Sequence, residues 1–259
     1  MSEIEPNYPK ISVVTVCFNS AATIRDTLES VQNQTYPNIE HVIIDGGSSD
    51  GTMDIIREYE DKLGAYVSEP DKGLYDAMNK GIRIATGDII GILNSDDFFE
   101  KPDVIAVIAK EFQKEAGVDI VFGNVVFVTP PDLHKVTRFY NSGHFRSWKL
   151  RFGWMPAHPA TFVRRSVYEK FGAYRNDLKI SADYEMFVRW LYRGKLRYRW
   201  VNRVIVRMRA GGVSTRGFKA SLLLNREIVR ACRENGLYTN LALVLSKIPF
   251  KLFELLRKP

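Results

Sequence analysis

Three short stretches of this chain bring carboxylates, amides and hydroxyls close enough together to do chemistry: Thr15 to Asn19, Asp45 to Asp50, and Asn94 to Asp97. The adjacent pair Asp96-Asp97 suits a hard divalent cation, Mg²⁺ or Mn²⁺, which takes oxygen ligands and is often held by one or two carboxylates plus substrate phosphates. Neighbouring side chains point in different directions, so one carboxylate can meet a metal while the other meets a sugar hydroxyl. Aspartate also favours turns, so the pair equally fits a solvated turn, and Asp45-Gly46-Gly47-Ser48-Ser49-Asp50-Gly51 fits a turn with a helix cap. Two such clusters on neighbouring strand ends argue for a site. Trp148 and Trp154 fit either a sugar-stacking surface or the core.

The elements that must position these residues alternate strand and helix. Ile11–Cys17, Ile39–Ile44, Tyr66–Ser68, Asp88–Leu93 and Asp119–Val128 read as strands, the longer ones as nearly continuous apolar runs of the kind a buried parallel sheet requires. Between them the spacing predicts helices over 22–32, from 49 or 50 to 63, over Leu74–Ala85 and over Asp103–Glu115. That rhythm means an α/β fold with a mostly parallel central sheet covered on both faces. After Pro130-Pro131 the pattern weakens, and 131–157 reads mainly as loop. Short elements follow at Ala160–Val163, Ser166–Phe171, Ala182–Arg193 and Arg199–Met208, then helices at Lys219–Glu234 and Asn240–Lys258.

In such a sheet, ligands bind beyond the carboxyl ends of the strands, where the three clusters lie. The turn after the first strand is Val16-Cys17-Phe18-Asn19, without the glycines of a dinucleotide-binding fingerprint, and no P-loop is present. Two cysteines, Cys17 and Cys232, exclude a disulfide scaffold and fit a reducing compartment. The 259 residues are 45% apolar, enough for a substantial core, and no apolar run approaches a membrane span. Charge is divided unevenly. Residues 1–130 hold 10 basic and 22 acidic side chains, while 131–259 hold 27 and 8. The basic half fits a polyanion, an anionic lipid or a phosphorylated substrate, or simple attraction to the acidic half.

The strings IEHVIIDGGSSDGT and SEPDKGLYDAMNKGIRIATGDIIGILNSDD, continued by MPAHPATFVRRSVYEKFGAYRNDLKISADYEMFVRW as far as GGVST, resemble the inverting family 2 glycosyltransferases. The resemblance spans roughly residues 10–215 and is closest to enzymes that build bacterial exopolysaccharide, colanic-acid-like capsule or lipopolysaccharide. It implies a single Rossmann-like domain of the A-type nucleotide-sugar-binding fold over residues 1–218, with a nucleotide part at 10–128 and an acceptor and catalytic part at 129–218; the residues beyond it, 219–259, read from their own pattern as a helical tail. By the same resemblance Thr15, Asn19, Asp45, Asp71, Lys72 and Asn79 surround the nucleotide, and Asp45 meets the base edge. Asp96 lies near the ribose or donor sugar, and Asp97 takes the metal, although Asn94 stands where many members have an aspartate. Asp183 matches the catalytic base at the head of a helix, a place that a carboxylate facing the helix dipole would also occupy. His158, between Pro156 and Pro159, falls in an acceptor-side loop and is either a contact to acceptor or diphosphate or a structural histidine.

The implied reaction moves a sugar from a nucleotide sugar, UDP-linked by preference, to a saccharide or lipid-linked acceptor. A sugar-nucleotide pyrophosphorylase would need a glycine-rich signature that is missing, and a nucleic-acid module would need a reading motif that is also missing. In the tail, Lys247, Lys251, Glu254 and Lys258 form one stripe, while Leu241, Leu245, Ile248, Leu252 and Leu255 form the opposite one, with Pro249 dividing the helix. Such a basic amphipathic segment at 239–258 fits a membrane interface, packing on the catalytic domain, or a homodimer contact. The expectation is a cytoplasmic enzyme that attaches reversibly to the inner face of the membrane.

Overall fold

The computed structural model describes residues 8–211 and 217–248. Four strands, β1 (Ile11–Cys17), β2 (Ile39–Asp45), β3 (Ala65–Ser68) and β4 (Ile89–Ile92), lie parallel in the order β3-β2-β1-β4. Every residue of β1 is buried, which explains its unbroken apolar pattern: helices cover both faces. The helix α3 (Leu74–Ile84) lies so close over β1 that a side chain at Gly81 would run into Val14. On the opposite face, α1 (Ile24–Gln32) and α2 (Thr52–Arg57) bury Ile24, Leu28 and Ile56 against Cys17 and Ile43.

The sheet continues with a mixed half. Strand β8 (Thr161–Arg164) is antiparallel to β4 and to β6 (Ile120–Thr129), and β9 (Tyr198–Arg209) runs parallel to β6. The two-residue β5 (Phe98–Phe99) pairs with β9, and α4 (Val104–Lys114) packs beneath the same strands. The stretch expected to be loop contains β7 (Asp132–Tyr140), antiparallel to β6, and a 3₁₀ turn over Ser147–Phe152. Its sequence, DLHKVTRFY, hides a strand because β7 lies off the main run of the sheet, paired only to β6, and buries little.

The helices α5 (Arg165–Phe171) and α6 (Ala182–Phe187), the latter continuing as a wider π turn to Arg193, fall close to expectation. The second expected helix is shorter than predicted, since residues beyond Arg57 form only a 3₁₀ turn at Glu60–Lys62. Helix α7 (Gly217–Glu234) places Ile228, Ala231 and Cys232 in the core cluster that holds Leu150, Tyr184 and Met186. The expected division at residue 218 is therefore not a break in packing. Of the last expected helix, α8 (Leu241–Leu245) and its extension to 248 are described; Leu252, Glu254, Leu255 and Lys258 lie outside the described residues.

Candidate active site

The parallel registers bring the three polar clusters together. Cys17 at the end of β1 stands opposite Asp45 at the end of β2, and the Leu93 N–H bonds the Val14 carbonyl as β4 leaves the sheet. Ser20 and Ser95 join the first and third clusters through hydroxyls 2.8 Å apart. Asn19, in the left-handed region at φ 49°, receives the Ser49 N–H on its Oδ1 at 2.9 Å. Its amide thus shapes the second cluster from the first, at the mouth of the cleft.

Two residues expected to face the nucleotide turn inward. Thr15 is fully buried, with its hydroxyl 3.0 Å from His41 Nε2. Asp45 is also fully buried and accepts from the Gly47 and Ser48 N–H groups at 3.1 and 3.0 Å, the Ser68 hydroxyl at 2.7 Å and the Ser48 hydroxyl at 2.5 Å. These donors favour the charged form and hold its carboxyl below the ordinary value against the opposing effect of burial. Asp45 is the staple of the loop, with no oxygen left to face a base.

The residues left open beside it are different ones. Phe18, directly after β1, is 62% exposed. Asp71 approaches Gly46 so closely that a Cβ there would lie 2.5 Å from its Oδ2 and 3.4 Å from the Phe18 ring. The other Asp71 oxygen receives the Gly73 N–H at 2.7 Å, and Lys72 is exposed next to it. A flat aromatic face and a fixed carboxylate thus meet at Gly46, with an exposed lysine next in the chain. An exposed aromatic following an all-buried strand was the available signal for Phe18.

At the third cluster the two aspartates, expected to meet the donor sugar and the metal, differ in burial. Asp97 is 1% exposed, with Oδ1 accepting the Arg209 N–H at 3.2 Å and Oδ2 lying 3.4 Å from the Asn94 amide nitrogen. Burial, with repulsion from Asp96, pushes its carboxyl well above the usual range. Asp96 is only partly buried, and its carbonyl is fixed by the Arg209 guanidinium at 2.6 Å. Its carboxyl is also raised by burial, partly offset by Arg209. The Asn94 Oδ1 is buried without a hydrogen-bond partner. Two raised carboxyls and an unmatched amide oxygen, with Arg209 beside them, are the oxygen donors that a hard divalent cation takes. Asp96 is the less buried carboxylate of the pair.

Asp183 begins α6, partly buried, with Oδ1 accepting the Tyr184 N–H at 2.8 Å. The Tyr75 hydroxyl lies 3.3 Å from that oxygen and 2.7 Å from the Ile180 carbonyl. Burial raises the Asp183 carboxyl, and nearby His158 partly offsets this. A carboxylate made more basic at a helix head is equipped to take a hydroxyl proton. Glu227 on α7 grips the preceding loop through the N–H groups of Lys179, Ile180 and Ser181 at 2.9, 3.0 and 3.0 Å. Neither Tyr75 nor Glu227 was flagged by the sequence; Glu227 lies in the supposed tail. Because Tyr75 stands on the first turn of α3, four residues after Asp71, one segment carries Asp71 and a contact to the base.

His158 is buried, with Nε2 2.5 Å from the Tyr174 hydroxyl, and burial lowers its pKa. It is a buried neighbour of Asp183, tied to Tyr174. Asn79 likewise is turned inward: its amide nitrogen donates to the Tyr174 carbonyl at 2.8 Å and its oxygen receives the Tyr174 N–H at 2.9 Å. It locks α3 to the segment leading toward Asp183.

An α/β sheet with an acidic cluster at its carboxyl edge and a separate basic carboxylate defines a class: enzymes that hold a charged donor and deprotonate an acceptor. Residues 12–172 match the family described as Glycosyl transferase family 2. A PGL/p-HBAD biosynthesis glycosyltransferase of Mycobacterium bovis is 30% identical over 76% of this chain and 75% of its own length. Among solved structures, the mannosyltransferase PcManGT of Pyrobaculum calidifontis in complex with GDP-Man and Mn²⁺ superimposes with a TM-score of 0.65 at 21% identity, covering 96% of this chain and 73% of that one. S. aureus TarS 1-349 in complex with UDP-GlcNAc gives 0.63 at 15% identity, over 92% and 71%. The chain belongs to glycosyl transferase family 2, and it is a glycosyltransferase of the A-type fold, not a pyrophosphorylase.

Proposed function

We propose that this enzyme transfers a sugar, with inversion, from a nucleotide sugar to a saccharide or lipid-linked acceptor in the synthesis of a cell-surface glycan. The observation that carries the reading is Asp183: partly open, raised by burial, and held from Tyr75 on one side and Glu227 on the other. In this reading Asp183 takes the acceptor hydroxyl proton as the new bond forms on the face opposite the nucleotide, so no covalent enzyme intermediate is needed. Phe18 stacks on the base, Asp71 meets its polar edge, and Lys72 lies toward the phosphates. Asp96 and the Asn94 oxygen would hold Mg²⁺ or Mn²⁺, which when bound supplies positive charge to the leaving diphosphate.

UDP-sugars are the favoured donors, supported by the likeness to a structure that holds UDP-GlcNAc; another such neighbour holds GDP-Man, which makes the nucleotide the first quantity to measure. We place the reaction in the cytoplasm, consistent with two buried free thiols at Cys17 and Cys232. No described helix is long and apolar enough to cross a membrane. The test is hydrolysis of UDP-, GDP- and dTDP-sugars by the purified protein with and without Mn²⁺. Metal-dependent release of one nucleotide is expected; release of none, across donors and metals, would overturn the reading.

A further inference from the structure

The final described helix turns an apolar stripe outward and a lysine inward. In α8 and its extension, Val244 is fully buried and Lys247 is 7% exposed, so both face the protein. Leu241 and Ile248, seven residues apart on the outward stripe, are 40% and 47% exposed, and Leu245 between them is only partly covered. A helix of a globular protein normally does the opposite, burying leucines and presenting lysine to water. Here the Lys247 ammonium reaches toward the Gly153 carbonyl at 3.5 Å, and Val244 packs on the same glycine.

Gly153 ends the 3₁₀ turn that carries Trp148. That turn and α8 are joined again where the Thr239 hydroxyl donates to the Arg151 carbonyl at 2.5 Å. Next to these contacts Trp148 is 55% exposed and Tyr238 is 70% exposed. Two segments far apart in sequence thus raise two aromatic rings and an aliphatic stripe on adjoining elements. The same turn is basic. Lys149 stands 5.7 Å from the Trp148 ring and bonds the His144 carbonyl, while Arg146 bonds the carbonyls of Gly143 and Phe145. Among the described residues, no carboxylate pairs with Arg146, Lys149 or Arg151.

We infer that Trp148, Tyr238, Leu241 and Ile248, with Arg146 and Lys149, form a docking face for an anionic bilayer surface. Aromatic rings with a polar handle settle at the headgroup level, aliphatic side chains reach the acyl boundary, and unpaired cations meet anionic headgroups. Charge decides against the other occupants. A second copy docked isologously would set this face against itself, like charges opposed. The chain's own residues 249–259 carry Lys251, Arg257 and Lys258 against Glu254 alone, so they repeat the sign of the face and charge does not draw them onto it.

The position gives the face a purpose, which deepens the reading of a lipid-linked acceptor and rests on it. The Tyr184 hydroxyl donates to the Leu150 carbonyl, at the centre of the Trp148 turn, and Tyr184 is the immediate neighbour of Asp183. Docking through this turn would bring α6, which carries the base, near the membrane, where an acceptor anchored in lipid presents its sugar.

The experiment is flotation of the full-length protein with vesicles of phosphatidylcholine, with and without phosphatidylglycerol. Low-salt flotation with the phosphatidylglycerol vesicles only, released by high salt, is expected. The double variant Trp148→Ser, Ile248→Ser should float about tenfold less while keeping its melting temperature. No flotation of the unaltered protein, or undiminished flotation of a folded double variant, would overturn the inference. So would a dimer in sedimentation that the same variant dissociates, since the face would then belong to a second copy. Metal-dependent donor hydrolysis, measured on both proteins, tests the catalytic reading separately. Its absence from both would defeat that reading and leave the vesicle result standing.

Discussion

The donor end and the base end of the cleft are held in different ways. Around Asp45 the fixing bonds are mostly local, from Gly47 and Ser48 two and three residues on. Around Asp183 one bond is local, from the Tyr184 N–H, and the others come from afar, from Tyr75 at a separation of 108 residues and from Glu227, which grips the preceding loop 46 to 48 residues away. A local loop is shaped by its own turn chemistry, whereas the base is oriented only when the whole fold has closed. The contrast teaches which carboxylates to expect at work: those completed by near neighbours build structure, and those left partly open do chemistry.

The largest effect should come from the base end. Asp183→Asn should lower turnover about 10²-fold or more, the scale of a lost general base, while nucleotide affinity stays within a few-fold. Steady-state kinetics with UDP binding by calorimetry checks this; surviving turnover with collapsed affinity would move Asp183 to the binding site. At the donor end, Asp96→Ala should abolish the Mn²⁺-dependent part of UDP affinity without lowering the melting temperature. Asp97→Ala should instead cost about 1–3 kcal/mol of stability, because it leaves the Arg209 N–H and the Asn94 amide poorly matched in a buried place. Equal loss of metal response in both variants would erase the distinction drawn between the two aspartates.

Glu227→Gln sharpens the comparison further. It keeps the shape but weakens three backbone bonds ahead of Asp183, so turnover should fall about tenfold with KM for the donor unchanged. A fall in donor affinity of the same size would show that the clamp serves the whole cleft.

The smallest effect is on acid stability, to which each end contributes one buried histidine. Burial lowers His41 to about 3 from an ordinary 6.5, and lowers His158 as well. Above pH 6.5 both are neutral folded or unfolded; below it the unfolded chain takes up protons that the native one refuses. Stability should therefore decline as pH falls from 6.5 toward 3, joined below 4.5 by Glu40, whose carboxyl its hydrogen bonds hold at about 2. Melting temperatures across that range should fall less steeply for His41→Gln; an unchanged slope would mean that other groups control the acid limb.

The same contrast governs what could be read from the chain. The run Ile11–Cys17 declares a doubly covered strand because burial on both faces removes alternation. The clusters at 15–19, 45–50 and 94–97 were rightly placed together at the strand ends. Their inward or outward aim was not legible: Thr15, Asp45 and Asn79 have the chemistry of contacts but are buried, and Asp97 is buried while Asp96 stays partly open. Adjacent carboxylates look alike until a distant backbone, here Arg209, selects one for burial. Strand β7 was missed because its half-wet pattern resembles a polar loop. Glu227 left no local trace, since its partners are N–H groups that every residue possesses.

Arg209 has a consequence for anyone dividing or recombining this enzyme. It stands at the end of β9, yet it supplies the N–H that anchors Asp97, the guanidinium that fixes the Asp96 carbonyl, and an ion pair to Asp26. An amino-terminal fragment ending at residue 130 would contain every acidic residue of the donor edge and still lack the brace that sorts them. Chimeras meant to exchange donor preference should therefore carry β9 together with β1–β4 from the same parent. A crossover between them would join two mismatched halves of one electrostatic arrangement.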